Sequence, residues 1–432
     1  TRRRTGSVCV LGDATKIAQF ITESGVEKNI SHKELIIPGY VAILSGSLEE
    51  KLPGWKITML PPAVVSAYTL DEGGDCPAVS LYLTLDEDTL QVRERATRIE
   101  RVPVAANLRH DELDEVITEA TLVGDAVAEY PFAAELAFTF RLARHLKSAR
   151  EQVRGKPETF TRPDYGFRLD GSGEHEPDGS EGVEIRERRR GAPLDLIVSE
   201  AMILANSTWG GWLAELGVPA IYRSQAALAP GIKVRMGTRA LPHAGLGVAQ
   251  YAWATSPLRR YVDLVNQWQI IACARHGRTA ALAAPFKPKD AALFSVISAF
   301  DAAYSAYQDF QHGLERFWTL RWLELNAVTE LDATVMKDGL VRAETLPLVL
   351  RAGGCEPLPR GTRVRVRVAG VDLLTLDAHA TLLARLDGAA APAAEDSGDD
   401  DAEDASAAAP LALAIDLDEA PAEPAPDLPA AG

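Results

Sequence analysis

The chain's 432 residues leave room for two or three domains and at least one sizeable core, and 47% hydrophobic with 25% charged residues is an ordinary globular composition. No run of eighteen apolar residues occurs, so no membrane-spanning helix is expected, and the apolar stretch after Thr1-Arg2-Arg3-Arg4-Thr5 is too short for a secretory signal. A net charge of −16 seems to exclude a polyanionic partner, but Asp387 to Gly432 holds 13 acidic residues and no Lys or Arg, so the remaining body is close to neutral and leaves room for local basic grooves.

Cys9, Cys76, Cys273 and Cys355 are far apart and form no CxxC pair. That usage fits a reducing cytoplasm and supplies no ligand set for zinc or an iron–sulfur cluster. The first fifty residues alternate strand and helix. Ser7-Val8-Cys9-Val10-Leu11 reads as a strand, and Asp13 caps a helix through Ile21. Glu34-Leu35-Ile36-Ile37 is a second strand stopped by Pro38-Gly39, and Ser47 to Lys51 opens a short helix. This is the rhythm of a doubly wound βαβ unit. Gly12-Asp13-Ala14-Thr15-Lys16-Ile17-Ala18-Gln19-Phe20-Ile21 and Leu35-Ile36-Ile37-Pro38-Gly39-Tyr40-Val41-Ala42 resemble the C-terminal corrinoid-binding domain of the corrinoid iron–sulfur protein large subunit. The resemblance covers about residues 6 to 57. It lacks most of that domain and the clustered cysteines, so the expectation is a fragment that encloses no corrinoid.

Beyond it the pattern changes. Lys56-Ile57-Thr58-Met59-Leu60-Pro61 and Cys76-Pro77-Ala78-Val79-Ser80-Leu81-Tyr82-Leu83-Thr84-Leu85 read as strands. Leu136, Phe140, Leu142 and Leu146 recur near the helical period between Pro131 and Arg154. Residues 155–181 are rich in Gly, Pro, Asp and Glu and read as a loop. Helices follow at about 194–216 and 257–275, and then a long one from Asp290 to about Asn326. The stripe of Leu293, Ile297, Phe300, Tyr304, Tyr307, Phe310, Leu314 and Phe317 on the last is expected to pack into the core rather than face bases. From 330 to 385 the period becomes two, with Gly and Pro turns between five or so short strands, as in a small OB-type barrel. Arg363, Arg365 and Arg367 share one exposed strand face, which suits either a polyanion or plain solvation. From Gly388 the sequence is mostly Ala, Pro, Asp and Glu and is expected to be a disordered tail.

The strongest chemical signal is Gly245-Leu246-Gly247-Val248-Ala249-Gln250-Tyr251-Ala252-Trp253-Ala254-Thr255-Ser256-Pro257-Leu258-Arg259-Arg260-Tyr261-Val262-Asp263. Ser256 is a good N-cap and Pro257 suits the first helical position, which places Arg259 and Arg260 in the first turn. There the helix dipole opposes each positive charge by roughly 0.3–1 kcal/mol. Either an anion sits among them, shared with free backbone N–H groups, or the arginines pair with Asp263 and solvent. Thr-Ser-Pro-x-Arg-Arg-Tyr-x-Asp resembles the signature of the ribonuclease II (RNB) family, and the likeness covers about residues 53 to 385. The resemblance puts Arg259 against the scissile phosphate as the catalytic charge stabiliser, with Arg260 and Tyr251 in the same wall. Asn266 stands where many relatives carry His.

A second matching stretch runs from Glu200-Ala201-Met202-Ile203-Leu204-Ala205-Asn206 to Tyr222-Arg223. Glu200 and Asn206 lie about 120° apart around a helix. The resemblance places both at the floor of an RNA channel, with Tyr222 and Arg223 touching the strand. Arg186, Arg188, Arg189 and Arg190 form a basic run able to track phosphates. The family's magnesium is held by closely spaced aspartates ahead of the region where the likeness begins. No such cluster stands among residues 1–60, which hold only Asp13 and scattered Glu. Magnesium is therefore implied by the family, and its ligands are not found.

The expected architecture is an α/β (α+β) RNB catalytic domain, N-terminally incomplete, followed by an all-β OB-type barrel and an acidic tail. The expected boundaries are 1–52, 53–326, 327–386 and 387–432. By resemblance the chain is a cytoplasmic RNA-binding protein descended from 3′→5′ exoribonucleases that release nucleoside monophosphates, with hydrolysis impaired by the missing aspartates. Its expected partner is single-stranded RNA, with neither DNA nor membrane. The alternatives are an active exoribonuclease with unrecognised metal ligands and a corrinoid-linked methyl-transfer component.

Overall fold

The computed structural model describes residues 18, 21–22, 33–36, 51–52, 55–58, 62–108, 113–124, 129–158, 164–170, 181–188, 191–229, 232–386 and 412–413. Strand β1 (Glu34–Ile36) pairs in parallel with β2 (Lys56–Thr58), Leu35 opposite Ile57. Parallel neighbours with an intervening crossover are what a βαβ unit makes, and the pair crosses the boundary expected at 52/53. The strand expected at Ser7–Leu11 and the cap at Asp13 lie outside the described residues.

After helix α1 (Pro62–Tyr68), β3 (Asp75–Leu85) and β4 (Val92–Pro103) form a long antiparallel ribbon. One face of the ribbon rests on the helices. Val79 and Leu81 pack against the cluster around Trp209, Leu213 and Ile270, and Trp209 Nε1 donates to Thr97 Oγ1 at 3.1 Å. Helix α2 (Glu119–Val123) opens with a capping box between Thr118 and Thr121.

Helix α3 (Ala133–Arg154) buries Leu136, Phe140 and Ala143 and stops at Gly155, whose φ of 81° is left-handed. The stretch 155–181 is not wholly loop. Strand β5 (Asp164–Leu169) lies within it and pairs antiparallel with β6 (Val183–Arg188). Arg186 on β6 is exposed and paired with Glu184 at 2.9 Å, and Arg189 and Arg190 lie outside the described residues. Helix α4 (Pro193–Glu215) starts on its proline and packs against α3.

Short strands β7 (Tyr222–Ser224) and β8 (Arg235–Gly237) precede helix α5 (Tyr261–His276), the short α6 (Ala280–Ala283) and the 35-residue α7 (Ala291–Leu325), capped by Asp290. Ile221, Trp253, Val262, Val265, Leu293, Ile297 and Phe300 form one core between β7, α5 and the first half of α7. The α7 stripe divides there. Leu293, Ile297 and Phe300 are buried, but Tyr307, Phe310 and Leu314 are 50%, 54% and 43% exposed. For those three the core expectation is corrected, because α7 runs beyond the elements that cover its first half.

Strands β9 (Glu330–Val335), β10 (Leu340–Ala343), β11 (Val349–Gly353), β12 (Arg363–Asp372) and β13 (Asp377–Arg385) close a barrel in the order β10-β11-β13-β12-β9. The β11–β13 pair is parallel and the others antiparallel, consistent with the expected OB-type fold. Alternate residues Val364 and Val366 point into a core of Leu331, Val335, Val341, Leu348 and Leu350. Arg316 of α7 ties the helix to the barrel through the carbonyls of Leu376 and Val349, the latter at 2.8 Å. Of the expected disordered tail the structure describes Ala412–Leu413, which pair in parallel with β8 as strand β14. No helix is long and apolar enough to cross a membrane among the described residues.

Candidate functional site

Three segments far apart in sequence meet beside α5. Arg223 of β7 donates its backbone N–H to the Tyr251 carbonyl at 2.8 Å, which lays 251–254 alongside that strand. The Asn266 side chain fastens the two together. Its Oδ1 accepts from Ile221 N at 2.8 Å, and its Nδ2 donates to the carbonyls of Ile221 at 2.9 Å and Trp253 at 2.7 Å. Asn266 is fully buried, and an amide is suited to answer a backbone N–H and C=O at once. The Asn at this position is therefore a structural clamp. One turn of chain away, Gly247 lies at φ +65° with Arg150's carbonyl where a Cβ would stand, so only glycine fits that approach.

The turn that carries the arginines differs from expectation. Arg259 and Arg260 donate their N–H groups to the Ser256 carbonyl at 3.3 and 3.0 Å, but α5 begins at Tyr261 with Arg260 as its N-cap. Asp263 causes the shift. Its Oδ1 accepts the Ser256 N–H at 2.8 Å, holding the turn off the helix axis. The same carboxylate takes both prongs of Arg260 at 2.8 and 2.9 Å. The arginines therefore precede the helix instead of opposing its dipole from within.

Trp253 is the platform of the site. Arg223 lies over its ring at 3.9 Å and Arg260 at 4.1 Å. Phe300 meets its edge at 6.4 Å, and Tyr304 stacks on Phe300 at 5.2 Å. Stacking two guanidinium groups on one indole is favourable because the ring face is negative. Arg259 is exposed, with Nη2 3.4 Å from Ser256 Oγ. Arg260's side chain is 11% exposed, and Arg223 is buried with its Nε making no hydrogen bond. The three cations thus form a graded set from the surface inward, and Asp263 is the one carboxylate hydrogen-bonded to them among the described residues.

Burial, with Arg260 adding to it, lowers the Arg223 pKa to about 10, against the pull of Tyr251, Tyr304 and Asp263. Arg223 remains cationic at neutral pH. His243 is fully enclosed, and burial together with Arg223 pushes it down to about 3. It is neutral there, its Nδ1 accepting the Leu246 N–H at 3.2 Å. Burial raises the Asp263 carboxyl while Arg260 pulls it back. Burial also raises the Tyr304 phenol, and all three arginines oppose the rise.

The other expected residues are distributed as follows. Tyr251 is buried, and its hydroxyl accepts from Asn206 Nδ2 at 3.2 Å. Asn206 Oδ1 accepts from Ala254 N at 2.9 Å, so Asn206 supports the wall from behind. Tyr222 is buried and donates to the Gly210 carbonyl at 3.1 Å, within the core. Glu200 is 1% exposed, and both of its oxygens are taken by Arg150, one from Nε at 2.9 Å and the other from Nη2. Arg150 also reaches Glu158 at 3.1 Å and the Leu246 carbonyl at 2.7 Å. As placed, Glu200 joins α3, α4 and the 243–248 turn and borders no open groove.

Arg363, Arg365 and Arg367 do share one exposed face of β12. Each meets an acid: Glu344 at 2.7 Å, Asp332 at 2.7 Å and Glu330 at 3.5 Å. The row is a cross-strand ladder with one carboxylate per arginine rather than a net positive strip. Sequence reasoning gives no site role to Trp253 or Arg150, and names Asp263 only as the alternative partner of the arginines, which for Arg260 the structure bears out. Asp263 stands three residues from Arg260 and is legible as its partner. Trp253's only signal is its place inside the motif.

The magnesium implied by the family resemblance finds no fit. Among the described residues no three His, Cys, Asp or Glu side chains are grouped to hold a metal ion. The two carboxylates nearest in role, Asp263 and Glu200, have both oxygens occupied by guanidinium N–H groups.

The family model of the RNB domain matches residues 51–232 and 232–276. A curated relative, the uncharacterized ribonuclease sll1290 of Synechocystis sp., is 27% identical over 354 residues, 74% of this chain and 48% of the relative. The chain thus spans about half the length of that relative. Among solved structures, Mycoplasma genitalium RNase R in complex with double-stranded RNA superposes with a TM-score of 0.58 at 12% identity, over 75% of this chain and 63% of that one. An active-site mutant of the Dss1 exoribonuclease from Candida glabrata gives 0.55 at 20% identity, over 76% and 45%. At these identities the likeness is one of fold.

Proposed function

The chain belongs to the RNB domain family, and from that premise we propose that it binds single-stranded RNA through a phosphate at Arg259 and hydrolyses it little or not at all. The observation that carries the proposal is the stacking of Arg223 and Arg260 on Trp253, with Arg259 exposed on the same turn as Arg260 and Asp263 bound to Arg260. In this reading Arg259 touches the phosphate. Arg260, aimed by Asp263 and Trp253, and the buried Arg223 supply a fixed positive field behind it. A desolvated cation set of this kind favours an anion because it needs no reorganisation to receive one. The names of the relatives, a ribonuclease and an exoribonuclease, support RNA as the polyanion and an exoribonuclease origin for the site, and the 3′→5′ direction is what the family resemblance implies. The occupied carboxylates support the absence of hydrolysis, because a positioned arginine does not replace a metal that activates water.

The test has two arms. Log affinity for a single-stranded oligoribonucleotide should fall with log salt, and Arg259→Ala with Arg260→Ala should flatten that slope by about 0.7 for each phosphate no longer neutralised. Unchanged affinity and slope would exclude the site. With magnesium or manganese added, end-labelled RNA should release monophosphates no faster with the wild type than with Arg259→Ala. Processive release that stops with chelator or with Arg259→Ala would instead establish an active exoribonuclease.

A further inference from the structure

The second half of α7 presents an exposed aromatic row for which the core offers no use. Tyr307 is 50% exposed, Phe310 54% and Leu314 43%. At the helical repeat of about 100° per residue, positions 303, 307, 310, 314 and 317 fall on one face, and these are Ala, Tyr, Phe, Leu and Phe, with no acid among them. Asp309 projects from the other side of the helix.

This row is joined to the arginine site through packed rings, Trp253 and Phe300 in the core and then Tyr304, on whose phenol all three arginines and Tyr307 act. Arg260 and Arg223 lie on Trp253, Trp253 meets Phe300, and Phe300 stacks on Tyr304. Tyr304 stands at the boundary, and Tyr307 follows it one turn along the same helix. A rise of about 1.5 Å per residue puts Tyr307 and Phe310 roughly 4.5 Å and 9 Å along the axis from Tyr304.

We infer that Tyr307 and Phe310, with Leu314 beyond them, are a stacking surface for the nucleobases next to the phosphate held at Arg259. The inference rests on the proposed reading of the arginine site. Its chemistry is sequence-tolerant, because every base has a π-face and the row offers no hydrogen-bonding side chain besides the Tyr307 hydroxyl. The positive set behind Trp253 selects a polyanion for this apolar row over an uncharged apolar partner.

The experiment measures binding of a fluorescent twelve-nucleotide oligoadenylate, and of an abasic strand of the same length, in chelator-containing buffer. The proteins are wild type, Tyr307→Ala with Phe310→Ala, Tyr307→Leu with Phe310→Leu, and Arg259→Ala with Arg260→Ala. The expected result is that both aromatic double variants bind oligoadenylate about tenfold or more weakly with an unchanged salt slope. The abasic strand should bind all three Arg-intact proteins alike. The leucine pair keeps apolar area and helix propensity, so its weaker binding isolates stacking from folding. Equal affinity of the aromatic variants and wild type, with the arginine variant still weakened, overturns this inference and leaves the proposed function standing. No effect of the arginine variant overturns both. A wild-type dimer that the aromatic variants abolish, seen by light scattering, shows the row to be an interface between copies and overturns the base-stacking assignment.

Discussion

Replacing Glu200 by Gln removes the charge that balances Arg150 inside the protein, and the size of the effect can be worked from the geometry. Glu200 is 1% and Arg150 8% exposed, and the carboxylate accepts two guanidinium N–H groups. Burial disfavours the charge on Arg150, yet its hydrogen bond and attraction to Glu200, with Glu158 adding, hold its pKa above the ordinary value. Breaking such a buried pair from one side costs about 3–5 kcal/mol, because the remaining charge is left without compensation. Glu158 at 3.1 Å and the Leu246 carbonyl at 2.7 Å remain on Arg150, which favours the lower end, about 3 kcal/mol. For a cooperative unit of this size each kcal/mol moves the midpoint by about 2–4 °C, so Glu200→Gln should lower Tm by roughly 6–12 °C. Arg150→Met combined with Glu200→Leu should recover much of the stability, since apolar replacement of a whole buried pair is often neutral. The assay is thermal unfolding followed by circular dichroism, with RNA affinity measured below the transition. An unchanged Tm with weakened RNA binding would refute the reasoning and return Glu200 to the floor of an RNA channel.

His243 should link stability to pH. Its pKa is held at about 3 against an ordinary 6.5, so the unfolded chain takes up a proton that the folded one refuses. Stability is full above pH 6.5 and falls as pH drops from 6.5 towards 3, by up to about 4–5 kcal/mol at 1.36 kcal/mol per pH unit. Urea midpoints across that window should fall less steeply for His243→Asn, and parallel curves would remove His243 as a cause. The barrel ladder should be silent towards RNA. Arg365→Ala should leave affinity within about twofold and the salt slope unaltered, because its charge is already matched by Asp332. A slope reduced as much as by the Arg259 and Arg260 substitutions would put the barrel in the RNA path.

What a sequence discloses depends on how local each determinant is. Helices α3 and α7 are legible because an apolar spacing near the helical period recurs within their 22 and 35 residues. The barrel is legible because β12 alternates Arg and Val. Strand β4 is not, since Val-Arg-Glu-Arg-Ala-Thr-Arg-Ile-Glu-Arg-Val-Pro puts charge on nearly every exposed position and has no alternation to read. It is held instead by its pairing with β3. Charge is the least local property of all. Glu200 and Arg150 are fifty residues apart, and Arg365 and Asp332 thirty-three. A lone charged residue therefore looks available for a ligand until the register reveals its partner. The arginine motif is the exception that carries weight. Arg260 finds its carboxylate three residues away, while Arg223, brought in by Asn266 and Trp253, arrives with no hydrogen-bonded carboxylate of its own among the described residues. The positive charge that the barrel neutralises pair by pair is here gathered in excess, and the proposed anion site rests on that excess rather than on any single residue.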